Sequence, residues 1–426
     1  MTTVCVHGLG YVGLPTAALL AHNGNEVVGY DVDERKLDRL HRRELRLGEA
    51  DLERYIVEAL DDGTLVPSNT VEPANVHVIC VPTPLDFDAE RADLEYVLSA
   101  ASGITDVLRE GDTVILESTV PPGTTEGPLR EALEESGLRA GEEFHLAYSP
   151  ETVLPGNILE ELRTNDRFVG GIDDASTDHA VALYEPCIDG DVNRTPDATT
   201  AEFVKLAQNA YRDLNIGFAN ELANIAKDYG VNTRDAIALA NRHSRVDILQ
   251  PGPGVGGHCL PVDPLFFAHD SDSLDLIYSA RRVNDGMSEF VVDLLEEHLG
   301  TLEGKRVAVL GVAYKANVDD TRNSPGLKLA GELQQATPDR ALADGGAAVE
   351  TRLCDPLVDD DRLDLVSVDE AVTDADAIVV TADHDVFRDL DPVETREKMR
   401  GDLLLDTKGT MDADAWDAAG FDVVGL

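Results

Sequence analysis

A glycine-rich turn near the N-terminus constrains the fold more than any other stretch of this chain. Residues Thr3 to Val6 predict a short buried strand, which is followed by Gly8-Leu9-Gly10-Tyr11-Val12-Gly13 and by an apolar helix through Ala21. A second predicted strand, Glu26 to Tyr30, ends at Asp31. This order of strand, glycine turn, helix, strand and acid is typical of a dinucleotide-binding βαβ unit. The glycines let the backbone approach a pyrophosphate at the helix N-terminus.

Several positions in this unit are candidate cofactor ligands, and together they favour NAD. Asp31 lies 18 residues after Gly13, where its carboxylate would accept hydrogen bonds from ribose hydroxyls and repel a 2′-phosphate. We therefore expect NAD rather than NADP. A glycine motif alone could form a structural turn, but the flanking strands and the acid indicate a cofactor site. The candidate ligands here are Gly8, Gly10, Tyr11, Val12, Gly13 and Asp31.

Polar residues follow three further predicted strands. Stretch 76–81 leads into Thr83, stretch 113–117 leads into a proline-rich turn that contains Thr119, and stretch 144–148 ends shortly before Glu151. Open α/β sheets bind ligands at the carboxyl ends of their strands, so these three side chains are candidate ligand contacts. The threonines are equally compatible with simple turn formation, and a surface position is the alternative for Glu151.

A long helix is predicted to begin near Thr199. Lys205 and Asn209 are spaced i and i+4 in it, so they lie on one face. A solvated lysine and a surface asparagine are the alternative. Because asparagine is only a modest helix former and an unusual cysteine follows downstream, we favour a functional pair of hydrogen-bond donors.

That cysteine, Cys259, lies within residues 251–264, which contain four glycines and four prolines. This composition predicts a loop rather than a helix or strand. A loop cysteine with polar neighbours can act as a covalent nucleophile. An inert buried thiol is the alternative, but the concentration of special residues around Cys259 favours a chemical role.

The C-terminal third repeats the alternation of strands and helices. A helix from about Leu274 to Leu299 and a linker at 301–305 precede predicted strands at 306–310, 348–353, 377–381 and 403–405. We therefore predict an α/β protein with two doubly wound Rossmann-like domains joined by a central helical segment. The expected domains are 1–198, which binds NAD, 199–300, which is helical and carries the cysteine loop, and 301–426. Lys315 and Arg322 in the last domain are candidate phosphate ligands, with ordinary surface charge as the alternative.

The charge balance excludes several kinds of partner. The chain has 35 basic and 82 acidic residues, which gives a net charge of −47. An acidic excess spread along the whole chain would repel nucleic acid and anionic membranes. It also repels itself, and this repulsion is screened when molar salt shortens the Debye length to about 3 Å. We therefore expect an intracellular protein of a salt-loving organism.

Hydrophobicity and cysteine content point to the cytoplasm. The sequence shows neither a signal peptide pattern nor an uninterrupted apolar run of about 18 residues that would span a membrane. The five cysteines have no paired spacing, so we expect no disulfide framework and no metal site. A reducing cytoplasm is the expected location.

Taken together, these motifs resemble the nucleotide-sugar 6-dehydrogenases, the UDP-glucose/GDP-mannose dehydrogenase family. The similarity covers essentially the whole chain, from GLGYVG through VPTP, STVPPGTT, SPE, the Lys205 and Asn209 helix and the cysteine loop to YKANVDDTR. The segment from Asn241 to Arg245, followed by ILQPGPGVGGHC, is most similar to the UDP-N-acetylmannosamine branch. Val262 and Pro155 stand where the UDP-glucose branch usually carries a lysine and a second glutamate, which argues against UDP-glucose and leaves acetamido sugars open.

The resemblance implies a mechanism. Members of the family oxidise a sugar C6 alcohol to a carboxylate with two NAD⁺ through an aldehyde. Cys259 would add to the aldehyde and become a thioester that water cleaves, while Lys205 and Asn209 would stabilise the oxyanion. Asp263 and Thr119 are the candidates to position water, and Glu151 is the candidate acid/base.

The resemblance also implies the binding residues and an oligomer. Arg245 is similar to the substrate arginine that the family supplies across a subunit interface, which implies at least a homodimer formed by the central helices. The implied cofactor contacts beyond the glycine turn are Thr83, Thr119 and Arg322. The implied substrate contacts are Glu151, Lys205, Asn209, Arg245, Gly256, His258 and Lys315.

Other functions remain open at this stage. UDP-N-acetylglucosamine and UDP-glucose are alternative substrates, because no motif separates sugar epimers. A two-electron hydroxyacid dehydrogenase would share the Rossmann start and the Lys205 and Asn209 helix but has no need of Cys259. A catalytically silent nucleotide-sugar-binding protein is the alternative from a different class.

Overall fold

The protein forms two compact units. The computed structural model describes residues 2–45, 47–86, 91–153, 156–336 and 347–426. The first unit contains Met1–Gln208 and Leu265–Asp272, and the second contains Asn209–Pro264 and Ser273–Leu426. The chain therefore returns to the first unit for one short segment before it completes the second.

A mostly parallel sheet forms the centre of the first unit. Its strands are β1 (Thr3–His7), β2 (Glu26–Tyr30), β3 (Leu65–Ser68), β4 (Val76–Ile79), β7 (Thr113–Leu116), β8 (His145–Tyr148), β9 (Arg167–Gly171) and β10 (Val192–Arg194), and a separate ribbon pairs β5 (Leu85–Asp86) with β6 (Arg91–Ala92). The sheet order is β10-β9-β8-β7-β4-β1-β2-β3, with β8 and β9 antiparallel. The strand order reverses between β1 and β4, and such a switch point is where open α/β sheets bind ligands.

Helices cover both faces of this sheet. They are α1 (Gly13–His22), α2 (Glu34–His41), α3 (Ala50–Asp61), α4 (Glu95–Thr105), α5 (Arg130–Glu134), α6 (Ile158–Thr164), α7 (Asp174–Tyr184) and the long α8 (Ala198–Tyr229), with a π-helical turn at Thr125–Leu129. Val4 and Val6 pack in one core cluster, whereas Val114 and Leu116 pack in the other. Burial on both faces explains why these strands are almost continuously apolar in sequence.

The second unit contains a fully parallel sheet and the remaining helices. The strands are β11 (Arg306–Leu310), β12 (Glu350–Cys354), β13 (Ala377–Val380), β14 (Leu403–Asp406) and β15 (Asp422–Gly425), in the order β12-β11-β13-β14-β15. The helices are α9 (Thr233–Ala240), α10 (Cys259–Val262), α11 (Asp275–Leu299), α12 (Pro325–Gln335), α13 (Val368–Val372), α14 (Asp385–Arg388), α15 (Pro392–Lys398) and α16 (Ala413–Ala418). Val307 and Val309 face one core cluster, and Ala308 and Leu310 face the other.

A buried polar network ties α8 to α11 and to the start of the cysteine loop. Arg281 Nη1 donates to Asp213 Oδ1 at 2.6 Å, and Asn284 Nδ2 donates to the same oxygen at 2.9 Å. Asn220 Nδ2 donates to Asn284 Oδ1, while Asn220 Oδ1 accepts the backbone N–H of Gly252, both at 2.9 Å. Because buried polar groups are costly unless they are paired, these bonds fix the entry of the loop.

The predicted fold class is confirmed, with one local correction. Both predicted α/β sheets form, and most of their strands begin within two residues of the prediction. The prediction that 251–264 contains no helix is wrong, because Cys259–Val262 forms α10 and Asp263–His269 forms a 3₁₀ helix. Pro261 is tolerated there because the first turn of a helix needs no intrahelical N–H donors. No helix in the described residues combines the length and apolar character required to cross a bilayer.

Candidate active site

Glycine is required for different reasons at the three glycine positions of the N-terminal turn. A Cβ on Gly13 would lie 2.0 Å from the backbone oxygen of Gly8. A Cβ on Gly8, whose φ is +92°, would lie 2.7 Å from the oxygen of Cys80. Nothing lies within 4 Å of a Cβ on Gly10. The fold therefore requires glycine at Gly8 and Gly13. Gly10 faces open space, where a ligand can approach the protein backbone closely.

Asp31 lies at the end of β2 and helps to hold this turn. Its Oδ2 accepts the backbone N–H of Leu9 at 2.8 Å and the ammonium of Lys36 at 2.5 Å. Burial by itself raises the pKa of Asp31, but Lys36 and the N–H groups of Asp33 and Leu9 outweigh it, so the pKa lies below its ordinary value. The side chain is therefore a carboxylate, as hydrogen bonding to ribose hydroxyls requires. Sequence reasoning did not find Lys36, although a cation five residues after Asp31 in so acidic a chain was an available signal.

Thr83 and Thr119 lie together at the carboxyl ends of β4 and β7, which are neighbouring strands. The Thr83 hydroxyl donates to the backbone oxygen of Thr119 at 2.6 Å. Ser118 donates in the same way to the oxygen of Val81 at 2.7 Å. These bonds join the two proline-containing turns at the sheet edge where the glycine turn also lies.

Glu151 is buried rather than at the surface. Its Oε2 lies 2.7 Å from Arg167 Nη2, and its Oε1 accepts the backbone N–H groups of Thr152 and Val153 at 2.6 and 2.9 Å. Its backbone oxygen accepts the ammonium of Lys205 at 2.6 Å. Burial raises the pKa of Glu151, Arg167 opposes that rise, and the net shift is upward. The structure thus brings two predicted site residues, Glu151 and Lys205, into direct contact.

Sequence reasoning missed the role of Glu202 on α8. This carboxylate is buried and accepts the backbone N–H of Gly123 at 2.5 Å and both the N–H and hydroxyl of Thr125 at 2.8 and 2.6 Å. It therefore fixes the turn that follows Thr119 to the helix that carries Lys205. Burial raises the pKa of Glu202 to about 7. The available signal was an acidic residue at a helical position between buried alanines.

Asn209 contacts Asp263 in the second unit. The amide Nδ2 of Asn209 donates to Asp263 Oδ2 at 2.7 Å, and both side chains are buried. Asp263 directly follows α10, whose first residue is Cys259. The thiol of Cys259 is exposed, whereas the other four cysteines of the chain are buried.

The cysteine loop packs against the segment that follows β11. The N–H of Gly257 donates to the backbone oxygen of Arg322, and Asn323 Nδ2 donates to the oxygen of Gly257, both at 2.8 Å. A Cβ on Gly256 would lie 2.7 Å from both Tyr314 Cβ and the oxygen of Asn323. The glycines before Cys259 are therefore needed for this close approach.

Charged groups surround this contact. Arg322 Nη2 lies 2.5 Å from Asp320 Oδ2, and this bond raises the pKa of Arg322. Burial, followed by the negative charge of Asp320, raises the pKa of Tyr314 to about 12. Burial and the nearby Arg322 lower the pKa of His258, so its imidazole is neutral at neutral pH. Arg322 and His258 thus both lie in the electrostatic surroundings of the cysteine loop.

Asp355 in the C-terminal sheet is the counterpart of Asp31 in the N-terminal sheet. Asp355 follows β12, and its Oδ2 accepts the N–H groups of Val312 and Ala313 at 2.8 Å and lies 3.2 Å from His384 Nε2. Its Oδ1 accepts two further backbone N–H groups. Asp355 thus accepts four backbone N–H groups, whereas Asp31 accepts those of Leu9 and Asp33. His384 Nδ1 in turn accepts the N–H of Asn317, which fixes the loop that contains Lys315.

Comparison with protein families identifies all three parts of the chain. Residues 2–188 match the NAD binding domain of the UDP-glucose/GDP-mannose dehydrogenase family, residues 199–286 match its central domain, and residues 308–413 match its UDP binding domain. The chain belongs to the UDP-glucose/GDP-mannose dehydrogenase family. The resemblance stated from the motifs and the prediction of NAD as cofactor are thereby confirmed.

Relatives within the UDP-glucose/GDP-mannose dehydrogenase family cover nearly the whole chain. A UDP-N-acetyl-D-mannosamine dehydrogenase of Methanocaldococcus jannaschii is 41% identical over 99% of this chain and 95% of its own length. An NDP-N-acetyl-D-galactosaminuronic acid dehydrogenase of Ralstonia nicotianae is 39% identical over 96% of each chain. The structure of UDP-D-ManNAc dehydrogenase from Pyrococcus horikoshii matches with a TM-score of 0.89 and 38% identity, over 100% of this chain and 99% of that one.

The remaining predicted site residues of this family member differ in their exposure. Tyr11 and Val12 are half-buried at the start of α1, and Lys315 is half-buried after β11. Arg245 is exposed, and its backbone N–H donates to His243 Nδ1 at 3.3 Å. Val262 is buried in α10, whereas Pro155 lies outside the described residues. The binding roles of these residues stay predictions.

A cysteine and two histidines meet inside the first sheet. Potential ligand atoms of Cys5, His7 and His77 lie within 4.8 Å of one another, and all three side chains are buried. The pKa of His7 is lowered to about 3 and that of His77 to about 4, chiefly by burial. The two neutral imidazoles hydrogen bond to each other at 3.1 Å. The other ring nitrogens, His7 Nδ1 and His77 Nε2, are buried without a hydrogen-bond partner in the part of the chain that the structure describes. The prediction that the protein holds no metal stays a prediction.

Proposed function

We propose that the protein oxidises the C6 alcohol of a UDP-N-acetylhexosamine, UDP-N-acetyl-D-mannosamine in the first instance, to the uronate through a thioester on Cys259. The observation that carries the proposal is the exposed thiol of Cys259 at the end of a glycine loop packed on Tyr314 and Asn323. The match along the full length to relatives that bear the UDP-N-acetyl-D-mannosamine dehydrogenase name supports the choice of sugar. NAD⁺, when bound at the glycine turn, accepts one hydride in each of two oxidations.

The residues of the chain have separate tasks in this scheme. Glu151, the candidate acid/base, accepts the hydroxyl proton as the alcohol loses a hydride and becomes an aldehyde. The Cys259 sulfur adds as a thiolate to the carbonyl carbon, so that a C–S bond forms and an oxyanion develops. Lys205 and Asn209 donate hydrogen bonds to that oxyanion from one face of α8. Loss of a second hydride gives the thioester. Water held by Asp263 and Thr119 then attacks the carbonyl carbon, the C–S bond breaks, and the carboxylate and free thiol are released.

Binding of the two nucleotides is divided between the sheets in this proposal. The glycine turn, Asp31, Thr83 and Thr119 hold NAD, with Arg322 contributing a positive charge near its phosphates. Gly256, His258 and Lys315 of the second unit hold the UDP-sugar. The ionised Asp31, which binds Leu9 and Lys36, supports the choice of NAD over NADP. In this proposal, residues 1–198 bind NAD, residues 199–300 form the helical part with the cysteine loop, and residues 301–426 bind the UDP-sugar.

A homodimer formed through α8 completes the proposal. Tyr211, Phe218, Ile225 and Tyr229 are spaced at seven, seven and four residues along this helix and are 46–78% exposed. Such a repeat places the side chains on one face that a second helix can cover. In the dimer, Arg245 serves the substrate of the other copy. Phe218→Asp should convert the dimer to a monomer in sedimentation, whereas Asp228→Ala on the same helix should not.

We also propose that the protein works in the cytoplasm. None of the five cysteines, all of which the structure describes, forms a disulfide bond. This is the state that a reducing compartment maintains.

The decisive experiment is a panel of UDP-sugars assayed for NADH in molar KCl. UDP-N-acetyl-D-mannosamine should give two NADH per sugar, and the panel should include the gluco and galacto epimers and UDP-glucose. Cys259→Ser should abolish uronate formation and retain NAD binding, whereas the matched control Cys187→Ser, at a buried thiol, should keep activity. One NADH per sugar, or an unchanged rate in Cys259→Ser, would refute the thioester route.

A further inference from the structure

A buried arginine lies between two carboxylates in the first unit. The side chain of Arg167, at the start of β9, is 4% exposed. Its Nη1 is 3.0 Å from Glu117 Oε1, and its Nη2 is 2.7 Å from Glu151 Oε2. The guanidinium carbon also lies 4.4 Å from the centre of the Tyr184 ring. These contacts fix the plane of the guanidinium and therefore its direction towards Glu151.

We propose that Arg167 is a positioning residue: held between Glu117 and Glu151, it fixes the segment whose backbone carbonyl receives the Lys205 ammonium. The inference rests on the proposed function, in which Lys205 and Glu151 act at the substrate. Arg167 is not itself a catalytic residue, because the contacts that define its place are with protein groups.

The connection from Arg167 to Lys205 passes through a single residue. The side chain of Glu151 is held at Oε2 by Arg167 and at Oε1 by the N–H groups of Thr152 and Val153. The backbone oxygen of the same residue accepts Lys205 Nζ at 2.6 Å. These contacts hold both the side chain and the backbone oxygen of Glu151. A substitution of Arg167 that releases the side chain should therefore also displace the backbone carbonyl. Lys205 is only 8% exposed, so water cannot easily replace that acceptor.

The far side of Arg167 is anchored by Glu117. Its Oε1 accepts the Tyr184 hydroxyl at 2.6 Å, and its Oε2 accepts the Cys80 thiol at 3.1 Å. Burial raises the pKa of both Tyr184 and Cys80 well above ordinary values, so these groups are neutral donors. Among the described residues, the charges of the cluster are those of Glu117, Glu151, Arg167 and the adjacent Lys205. The buried thiol of Cys187 also lies near Arg167.

Arg167 and Glu117 shift the pKa of Glu151 in opposite directions. Burial raises the pKa of Glu151, Arg167 lowers it and Glu117 raises it. Loss of Arg167 leaves two buried carboxylates facing each other, which favours protonation of Glu151. Loss of the Glu117 charge leaves the whole guanidinium to Glu151 and favours its ionised form. If Arg167 had a purely structural role, the two substitutions would not shift the pKa of Glu151 in opposite directions.

The test compares Arg167→Met with Glu117→Gln in the full-length protein. The readouts are the pH profile of kcat and an infrared titration of the carboxyl C=O stretch, with Glu151→Gln used to assign the band. Arg167→Met should move the Glu151 titration upward by about one pH unit or more and lower kcat about 100-fold with little change in the KM for NAD. Glu117→Gln should move the titration downward. Arg167→Lys, which retains the charge, should restore part of kcat.

Arg194→Met is the matched control, because Arg194, on the neighbouring strand β10, forms an exposed ion pair with Asp178 of α7. It should leave both readouts unchanged. A Glu151 titration that stays in place, or moves in the same direction in both variants, would overturn the proposal. If Arg167→Met does not fold, the Glu117→Gln variant is sufficient by itself. A Glu151 pKa that does not fall in that variant would overturn the proposal. Absence of oxidation of any UDP-sugar by the unmodified protein would refute the proposed function, while the infrared titration still decides the role of Arg167.

Discussion

The side-chain amide of Asn209 donates a hydrogen bond to the carboxylate of Asp263, with Nδ2 2.7 Å from Oδ2. Asn209 is 8% exposed and Asp263 is 2% exposed, so water competes little for either group. The bond joins a residue fixed by the long helix α8 to the residue that directly follows α10, at whose first position Cys259 lies. It therefore positions the candidate nucleophile and the candidate water-binding carboxylate against one rigid element.

Asp263→Asn should lower kcat about 10²- to 10³-fold. The variant removes the charge-assisted bond and leaves two amides facing each other. NAD affinity, measured by protein fluorescence quenching, should stay unchanged because the glycine turn belongs to the first unit. Asp228→Asn, at an exposed position near the end of α8, is the control and should keep the original kcat. An Asp263→Asn protein with normal turnover would show that this contact has no catalytic task.

Gly10→Ala and Gly13→Ala should fail for different reasons. A Cβ at Gly10 meets no atom within 4 Å, so Gly10→Ala should melt at the original temperature but bind NAD at least about tenfold more weakly, because the methyl group occupies the approach to the pyrophosphate. A Cβ at Gly13 would lie 2.0 Å from the oxygen of Gly8, so Gly13→Ala should lower Tm markedly. Calorimetry and NAD titration separate the two effects. Unchanged NAD affinity in Gly10→Ala would contradict the placement of the pyrophosphate.

Glu202 should contribute a loss of stability as pH rises from about 4.5 to about 7, which opposes the gain expected from the buried neutral His7 and His77. The folded pKa of Glu202 is raised from 4.5 to about 7, chiefly by burial. Its protonated form is therefore favoured by folding, and this contribution is complete below pH 4.5 and lost as pH rises through about 7. It amounts to roughly 3 kcal/mol, since each pKa unit corresponds to about 1.4 kcal/mol.

Denaturant unfolding across this pH range tests the assignment. Glu202→Gln should remove this contribution, so that the free energy of unfolding rises more with pH than in the original protein, while Glu131→Gln, at an exposed position on α5, should keep the original slope. An identical slope in the Glu202→Gln protein and the original protein would assign the pH dependence to other groups.

Stability should increase with salt. The net charge of −47 cannot be balanced by ion pairs within the chain, and molar salt reduces the Debye length to about 3 Å. Tm should therefore rise between low and molar KCl in a thermal melt followed by circular dichroism. Sucrose of matched osmolality does not screen charge and should raise Tm less. A Tm that stays constant or falls in KCl would count against a protein adapted to high salt.

Much of the fold followed from patterns that are local in sequence. Glycines between a strand and a helix predicted the turn from Gly8 to Gly13, and continuous apolar stretches predicted the buried strands on both sheets. The predicted boundaries of β2 and β11 match the observed ones, because each strand begins at a charged residue, Glu26 or Arg306, and ends just before a turn-forming residue, Asp31 or Gly311. The short helix α10 was missed, because glycine and proline obscured a segment whose helical turn needs few internal hydrogen bonds.

The sequence by itself determined the family, the two α/β sheets and the residue types available for the chemistry, because these depend on spacing along the chain. Only the tertiary structure decided which charges meet. Glu151 and Arg167 are separated by 16 residues, and Glu117 lies 50 residues from Arg167. No periodicity connects them, and their burial, pairing and pKa shifts arise only when neighbouring strands place them in the same water-excluded interior.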